Sequence, residues 1–246
     1  MGQIFAVVSG KGGTGKTSLC AGIACCLAAE GAKVLCIDAD IGLRNLDLSL
    51  GSPEIASLPF TEVLHGRVSP EDIPAHPKLP GLFLLTAPVS EEAETIELPK
   101  FRRFMEFLRK NYDYCMIDAP AGIGAGFRLA CASADRIVVV SGPDPASLRD
   151  AASVASLLAD RPRGSVRLVV NRIVPKLFTR MKTTVDDMMD GAGLPLLGIV
   201  PEDVSVTLAA AEGTPLIFYT DKKAARACLN IARRLSGQAV PLMKLR

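Results

Sequence analysis

Gly10-Lys11-Gly12-Gly13-Thr14-Gly15-Lys16-Thr17 lies directly behind a short apolar run, residues 4–9, and directly ahead of an alanine-rich stretch, residues 16–30. A G-x-x-x-x-G-K-[ST] segment placed between a strand and a helix suits the binding of a chain of phosphates. Glycines let backbone N–H groups curl around the anion without Cβ clashes, and a helix N-terminus adds a favourable dipole. Lys16 can reach β- and γ-phosphates, and the Thr17 hydroxyl can ligate Mg²⁺ directly. Residues Gly10 to Ser18 are therefore the expected nucleotide cradle. Lys11 is a second cation in the same loop, which an ordinary phosphate loop does not require.

Three carboxylates extend this constellation. Asp38 and Asp40 close the second apolar run, residues 33–38, and Asp118 closes another, residues 114–118. Two carboxylates beside a triphosphate repel it unless Mg²⁺ and lysines offset their charge. Asp38 and Asp118 are the expected outer Mg²⁺ ligands, acting through water. Asp40 is the expected residue that orients or deprotonates the attacking water. The catalytic set is then Lys11, Lys16 and Asp40, and the reaction is ATP hydrolysis by electrostatic positioning.

Lys11-Gly12-Gly13-Thr14-Gly15-Lys16-Thr17 resembles the deviant Walker A motif of the MinD/ParA family of P-loop ATPases. In that family the early lysine reaches across a nucleotide-sandwich dimer to the partner's phosphates. The resemblance thus implies an ATP-dependent homodimer. Ile41-Gly42-Leu43-Arg44-Asn45-Leu46-Asp47-Leu48 is similar to the switch I segment of the MinD group. Asp118-Ala119-Pro120-Ala121-Gly122-Ile123 is similar to its switch II, and residues 143–150 to its Ser-x-Arg-Asp segment. Asn171 and Arg172 match the place where the family holds adenine, and an Asn amide can read a base edge with one donor and one acceptor. Pro201 and Glu202 match a second loop on the adenine side. The likeness spans roughly residues 2–236 and is weakest over 52–110. It implies ATP/ADP and Mg²⁺ as cofactors and a switch that regulates placement of the division septum. The partners it implies are a MinC-like inhibitor, a MinE-like or other topological regulator, and weak reversible contact with anionic membrane.

Elements of alternating type must position these residues. Short apolar runs bounded by turn residues mark strands at 4–9, 33–38, 83–86, 114–118, 136–141, 166–171 and 196–200. Helical spacing marks 16–30, 98–110, 145–159, 183–190 and 222–235, the last capped by Asp221. Strands alternating with helices imply right-handed βαβ units, so the fold class is α/β: a single-domain P-loop NTPase with a mainly parallel sheet and helices on both faces. Ligands bind beyond the carboxyl ends of such strands, which selects the loops after Ser9, Asp38, Asp118, Ser141, Asn171 and Val200. Residues 51–80 read as a surface excursion with one short helix near 60–65.

One domain over 1–237 and a short tail over 238–246 is the simplest organisation. A formal net charge of +2 over 246 residues does not indicate a dedicated nucleic-acid surface. That opposes a ParA-type DNA-binding role, while a related MinD-like role in flagellar placement stays open. Seven cysteines with no C-x-x-C pair make a disulfide framework or zinc site a poor fit. An iron–sulfur carrier would need cysteines paired across a dimer, with Cys131 the nearest candidate. His65 and His76 show no metal-binding spacing. No apolar stretch reaches the length of a membrane span. The expected location is the cytoplasm, with peripheral contact at the inner face of the membrane. Leu242, Met243 and Leu245, with Lys244 and Arg246, are the tail residues suited to such contact.

Overall fold

The computed structural model describes residues 1–41, 43–52, 57–89, 91–181 and 183–244, apart from the Thr179 side chain. Gly42 in the switch I segment, and Leu245 and Arg246 in the tail, lie outside the described residues. Eight strands form one sheet: β1 Gln3–Val8, β2 Val34–Asp38, β3 Ala75–His76, β4 Leu79–Leu85, β5 Tyr114–Asp118, β6 Arg136–Ser141, β7 Val166–Ile173 and β8 Leu196–Pro201. Their order is β3-β4-β2-β5-β1-β6-β7-β8, and every neighbouring pair is parallel except β3 with β4. The helices are α1 Lys16–Ala29, α2 Leu46–Ser49, α3 Phe60–Leu64, α4 Leu98–Leu108, α5 Ala125–Ser133, α6 Pro145–Leu157, α7 Pro175–Arg180, α8 Val185–Ala192, α9 Val204–Ala211, α10 Leu216–Tyr219 and α11 Lys223–Leu235.

Side chains alternate across the sheet with a period of two, so each central strand feeds two cores. Ile4, Ala6 and Val8 pack with Phe101, Met105, Phe127 and Met188 from α4, α5 and α8. Phe5 and Val7 pack on the opposite face with Leu19, Ile23 and Leu27 of α1 and Cys228 and Ile231 of α11. Burial on both faces explains why the strands read as continuous apolar runs. All seven cysteines are free and buried within these layers. Among the described residues no helix is long and apolar enough to cross a membrane.

Two differences from the sequence expectations have physical causes. The start of α11 is not capped by the Asp221 side chain: Lys222 occupies the cap position without a side-chain bond, and Asp203 Oδ2 accepts from Ala224 N–H at 3.1 Å. The same Asp203 accepts from Ser205 N–H at 3.1 Å, so one buried carboxylate starts two helices. Asp203 thus outcompetes Asp221, which is exposed. Met243 is not a free apolar side chain, because it packs against the core on the α1/α11 face. Arg234 holds the chain there, donating to Leu197 O at 3.0 Å, Val240 O at 2.9 Å and Pro241 O at 2.7 Å.

Helices α1 and α11 approach closely at Gly22, where an added Cβ would meet Cys228 Sγ at 2.7 Å. A helical Gly→Ala change ordinarily gains roughly 0.5–1 kcal/mol, whereas overpacking costs about 1–3 kcal/mol. Gly22→Ala should therefore destabilise the protein, and adding Cys228→Ala should recover much of the loss. A urea-denaturation double-mutant cycle checks this, and purely additive effects would rule out the contact. His76 supplies a second test. Its Nδ1 accepts from Lys78 N–H at 3.1 Å while Nε2 lies 3.0 Å from Leu50 O and 2.8 Å from Ser52 Oγ, a pattern that requires the neutral ring. Burial accordingly holds its pKa below the ordinary value of 6.5. A depressed histidine contributes stability that is present above the unfolded pKa and is lost as pH falls through the folded one. Melting temperatures of the parent should drop from pH 6.5 downward more steeply than those of His76→Gln.

Candidate nucleotide site

The register of three adjacent strands sets the site. Val7 of β1 and Asp38 of β2 both pair with Asp118 of β5, so the loops that follow leave the sheet at one level. Gly122 N–H donates to Ser9 O at 3.1 Å, tying the loop after β5 to the one after β1. The phosphate loop, residues 10–16, is braced from inside: Ser9 Oγ donates to Lys11 O at 2.8 Å, and Asn171 Nδ2 to Thr14 O at 2.8 Å. Gly15 has φ 84° and an added Cβ would collide with the Asn171 amide, so the loop requires glycine there on two counts.

The two lysines occupy different environments. Lys16 opens α1 with its side chain only 9 % exposed, and its Nζ is 3.9 Å from Asp40 Oδ2. Lys11 is 39 % exposed, and its Nζ is 3.5 Å from Asp144 Oδ1. Asp144 caps α6, accepting from Ser147 N–H at 2.9 Å and from the Ser147 hydroxyl. Those Ser147 bonds, more than Lys11, hold the Asp144 carboxyl below its usual range. Sequence reasoning marked the segment around Asp144 but could not assign it to Lys11, from which it is separated by 133 positions.

The three predicted carboxylates gather beside Lys16 but differ in their bonding. Asp38 is fully engaged: it accepts from Asp40 N–H at 2.9 Å and from Asn45 and Leu46 N–H at 3.2 Å each. Burial raises its pKa, and these backbone donors restrain the rise. Asp40 is half-buried; burial raises its pKa and Lys16 opposes the rise. Both oxygens of Asp118 are buried and without a hydrogen-bond partner among the described residues, as is the Thr14 hydroxyl. Burial pushes Asp118 up to about 7; Lys16 and the Thr17 hydroxyl offset part of that rise without closing a well-formed bond to either oxygen. An orphaned, desolvated carboxylate next to a hydroxyl is what a hydrated divalent cation would satisfy. The donor set of Thr17 and Asp118, with Asp38 adjacent, therefore fits Mg²⁺.

A cleft of about 180 Å³ continues from the phosphate loop between Asn171, Arg172, Pro201, Glu202 and Val206. Arg172 has φ 62°, a left-handed conformation costing roughly 1–2 kcal/mol for a non-glycine residue. Its guanidinium is held by Glu202 at 2.7 and 3.2 Å and donates to Gly13 O at 3.2 Å, which links the cleft to the phosphate loop. One N–H of the Asn171 amide is spent on Thr14 O, which leaves the second N–H and the carbonyl oxygen to read a base. All the expected site residues, Gly10 to Ser18, Asp38, Asp40, Asp118, Asn171, Arg172, Pro201 and Glu202, thus line one end of the sheet. Cys131 lies within α5, buried, with its thiol pushed up to about 12 by that burial.

Comparison with known proteins agrees with this geometry. Residues 5–216 match the family described as the CobQ/CobB/MinD/ParA nucleotide binding domain. The septum site-determining protein MinD of Synechocystis sp. is 38 % identical over 246 residues, covering 99 % of this chain and 92 % of that protein. The MinD chain of the MinC:MinD cell division complex from Aquifex aeolicus superposes with a TM-score of 0.89 at 36 % identity, covering 98 % of each chain. MinD from Pyrococcus horikoshii, solved with Mg-ADP, gives a TM-score of 0.81 at 28 % identity over 96 % of each chain. The chain belongs to the CobQ/CobB/MinD/ParA family of nucleotide-binding domains, among its MinD members.

Proposed function

We propose that this chain is a Mg²⁺-dependent ATPase that switches between a monomer and an ATP-sandwich homodimer to regulate placement of the division septum. The observation that carries the reading is the unequal placement of the two loop lysines. Lys16 is buried where it can neutralise phosphates bound in its own loop, whereas Lys11 stands at the exposed rim on a partner it can leave. An exposed ion pair such as Lys11–Asp144 is worth about 0–1 kcal/mol, so a phosphate presented by a second copy would outcompete it.

The residues divide the work. Backbone N–H groups of the loop and Lys16 bind the phosphates, and Arg172 and Asn171 fix the base-side wall. Asp118 and Thr17 would hold Mg²⁺, which when bound supplies charge neutralisation at the phosphate oxygens. Once Lys16 turns to phosphate, Asp40 loses its 3.9 Å partner. Its half-buried carboxylate then accepts a proton from the attacking water. Gly122, tied to Ser9, and Asp40 and Asn45, tied to Asp38, are placed to register the change.

Further parts of the reading follow the relatives. The Aquifex MinD was solved in complex with MinC, which supports a MinC-like inhibitor as a partner here. A MinE-like or other regulator would stimulate turnover. The protein would work in the cytoplasm, with weak, reversible contact at the anionic inner face of the membrane that depends on dimerisation. Of the tail residues described, Leu242 remains 48 % exposed for such contact while Met243 is packed down, so one chain alone offers little apolar area.

Asp40→Ala should bind ATP but lose about 10²–10⁴-fold in hydrolysis, the usual contribution of a general base. It should accumulate as an ATP dimer in light scattering. Wild-type turnover in this variant would show that Asp40 does not act on the water. Lys11→Ala should retain nucleotide binding in a fluorescence titration yet remain monomeric with ATP. Dimers of this variant at wild-type abundance would remove the role assigned to Lys11.

A further inference from the structure

At the amino-terminal ends of the strands, away from the nucleotide, a second groove of about 580 Å³ opens between the starts of β1, β6 and β7. Strands of six residues separate it from the phosphate loop by about 20 Å. Four arginines line it, Arg109, Arg136, Arg163 and Arg167, against one carboxylate, Asp135. That carboxylate is already spent. It takes Arg109 through two bonds of 3.2 and 2.9 Å and accepts Ile4 N–H at 2.8 Å. Arg109 also donates to Gly2 O at 2.8 Å and to Glu106 at 3.1 Å, so it is fixed in the floor with its side chain 13 % exposed.

Arg136, Arg163 and Arg167 are exposed and have no ion pair or hydrogen bond among the described residues. Three like charges on one concave wall repel each other and concentrate positive potential in the groove. Arg163 sits in the α6–β7 turn, where Gly164 at φ 82° brings the chain round into β7, and Arg136 and Arg167 begin or nearly begin their strands. Rigid elements therefore present the guanidinium groups together. A single carboxylate would neutralise only one of them. A planar guanidinium makes paired N–H···O bonds to phosphate oxygens, and several such forks match an anion carrying several phosphate oxygens.

We propose that this groove binds a phosphate-bearing polyanion, either a soluble polyphosphate or a phospholipid headgroup, at a site independent of the nucleotide reaction. The test uses the full chain in a Lys16→Ala background, which removes the main phosphate ligand of the nucleotide loop. Sodium tripolyphosphate without Mg²⁺ is titrated by calorimetry, and flotation is run with phosphatidylcholine vesicles containing phosphatidylglycerol. The triple change Arg136→Gln, Arg163→Gln and Arg167→Gln should weaken one of these interactions by about tenfold or more, since charge-assisted bonds are lost from each fork. A control with the same charge loss elsewhere, Arg103→Gln, Arg180→Gln and Arg226→Gln, should leave it unchanged. Tripolyphosphate binding that the triple change weakens identifies the soluble source, and vesicle binding that it weakens identifies the headgroup. Absence of saturable binding in both arms, or equal weakening by the control, would overturn the proposal. If the triple variant melts early, the single changes are read instead, each expected to weaken binding by roughly threefold.

Discussion

Two carboxylates at one level of neighbouring parallel strands, Asp38 and Asp118, place negative charge in a desolvated position, and the site is organised around that charge. The protein neutralises it unevenly. Three backbone N–H groups satisfy Asp38, which makes it the anchor for the segment leading into α2. Lys16 balances Asp40 at 3.9 Å and offsets part of the burial of Asp118. Asp118 is left with two oxygens unbonded among the described residues. A buried carboxylate in that condition is costly, and burial moves it toward the protonated form. In the proposed function, a hydrated cation held by Asp118 and Thr17 would neutralise that charge.

The same economy of charge separates the two lysines. Lys16 opens the largely buried α1 with its side chain only 9 % exposed. Lys11 is held only by a half-exposed carboxylate whose main duty is to cap α6. A bond of that kind keeps the lysine folded back while the protein is alone and costs little to break. Under the proposed dimer, Lys16 is the resident cation and Lys11 the donated one. Arg172 adds a third cation on the cleft side, strained at φ 62° and braced by Glu202, and its bond to Gly13 O ties the base-side wall to the phosphate loop.

Most of the site was legible in the sequence because its parts obey local rules. Glycine spacing, a lysine at the helix start and apolar runs ending in Asp fix both chemistry and position, since parallel strands deliver their carboxyl ends to one edge. The hidden parts depend on pairings far apart in the chain. Nothing local ties Lys11 to Asp144, or Asp203 to the start of α11, where the nearer Asp221 was the expected cap. The alternation of strands and helices implies a helix after Asp118, but Gly122, Gly124 and Gly126 lower helix propensity and hide where it starts; Gly126 is needed because an added Cβ would collide with the Pro120 ring. The two-residue strand β3, with prolines on both sides of its hairpin, carries too short a pattern to be seen. In the tail, residue types suggested an apolar surface, but Arg234 draws the backbone onto α11 and buries part of Met243.

In the proposed dimer, Lys11 serves the nucleotide of a second copy while Asp40 serves its own, and subunit complementation tests this division of labour. Lys11→Ala and Asp40→Ala chains are each prepared alone, mixed with ATP and Mg²⁺, and assayed for phosphate release. In a mixed dimer the Lys11→Ala chain keeps its Asp40 and receives Lys11 from its partner, which completes one site. The mixture should hydrolyse ATP well above the sum of the two separate variants, approaching one working site per mixed dimer. Activity no greater than that sum would place both residues in the same chain's site and rule out donation of Lys11 across the dimer.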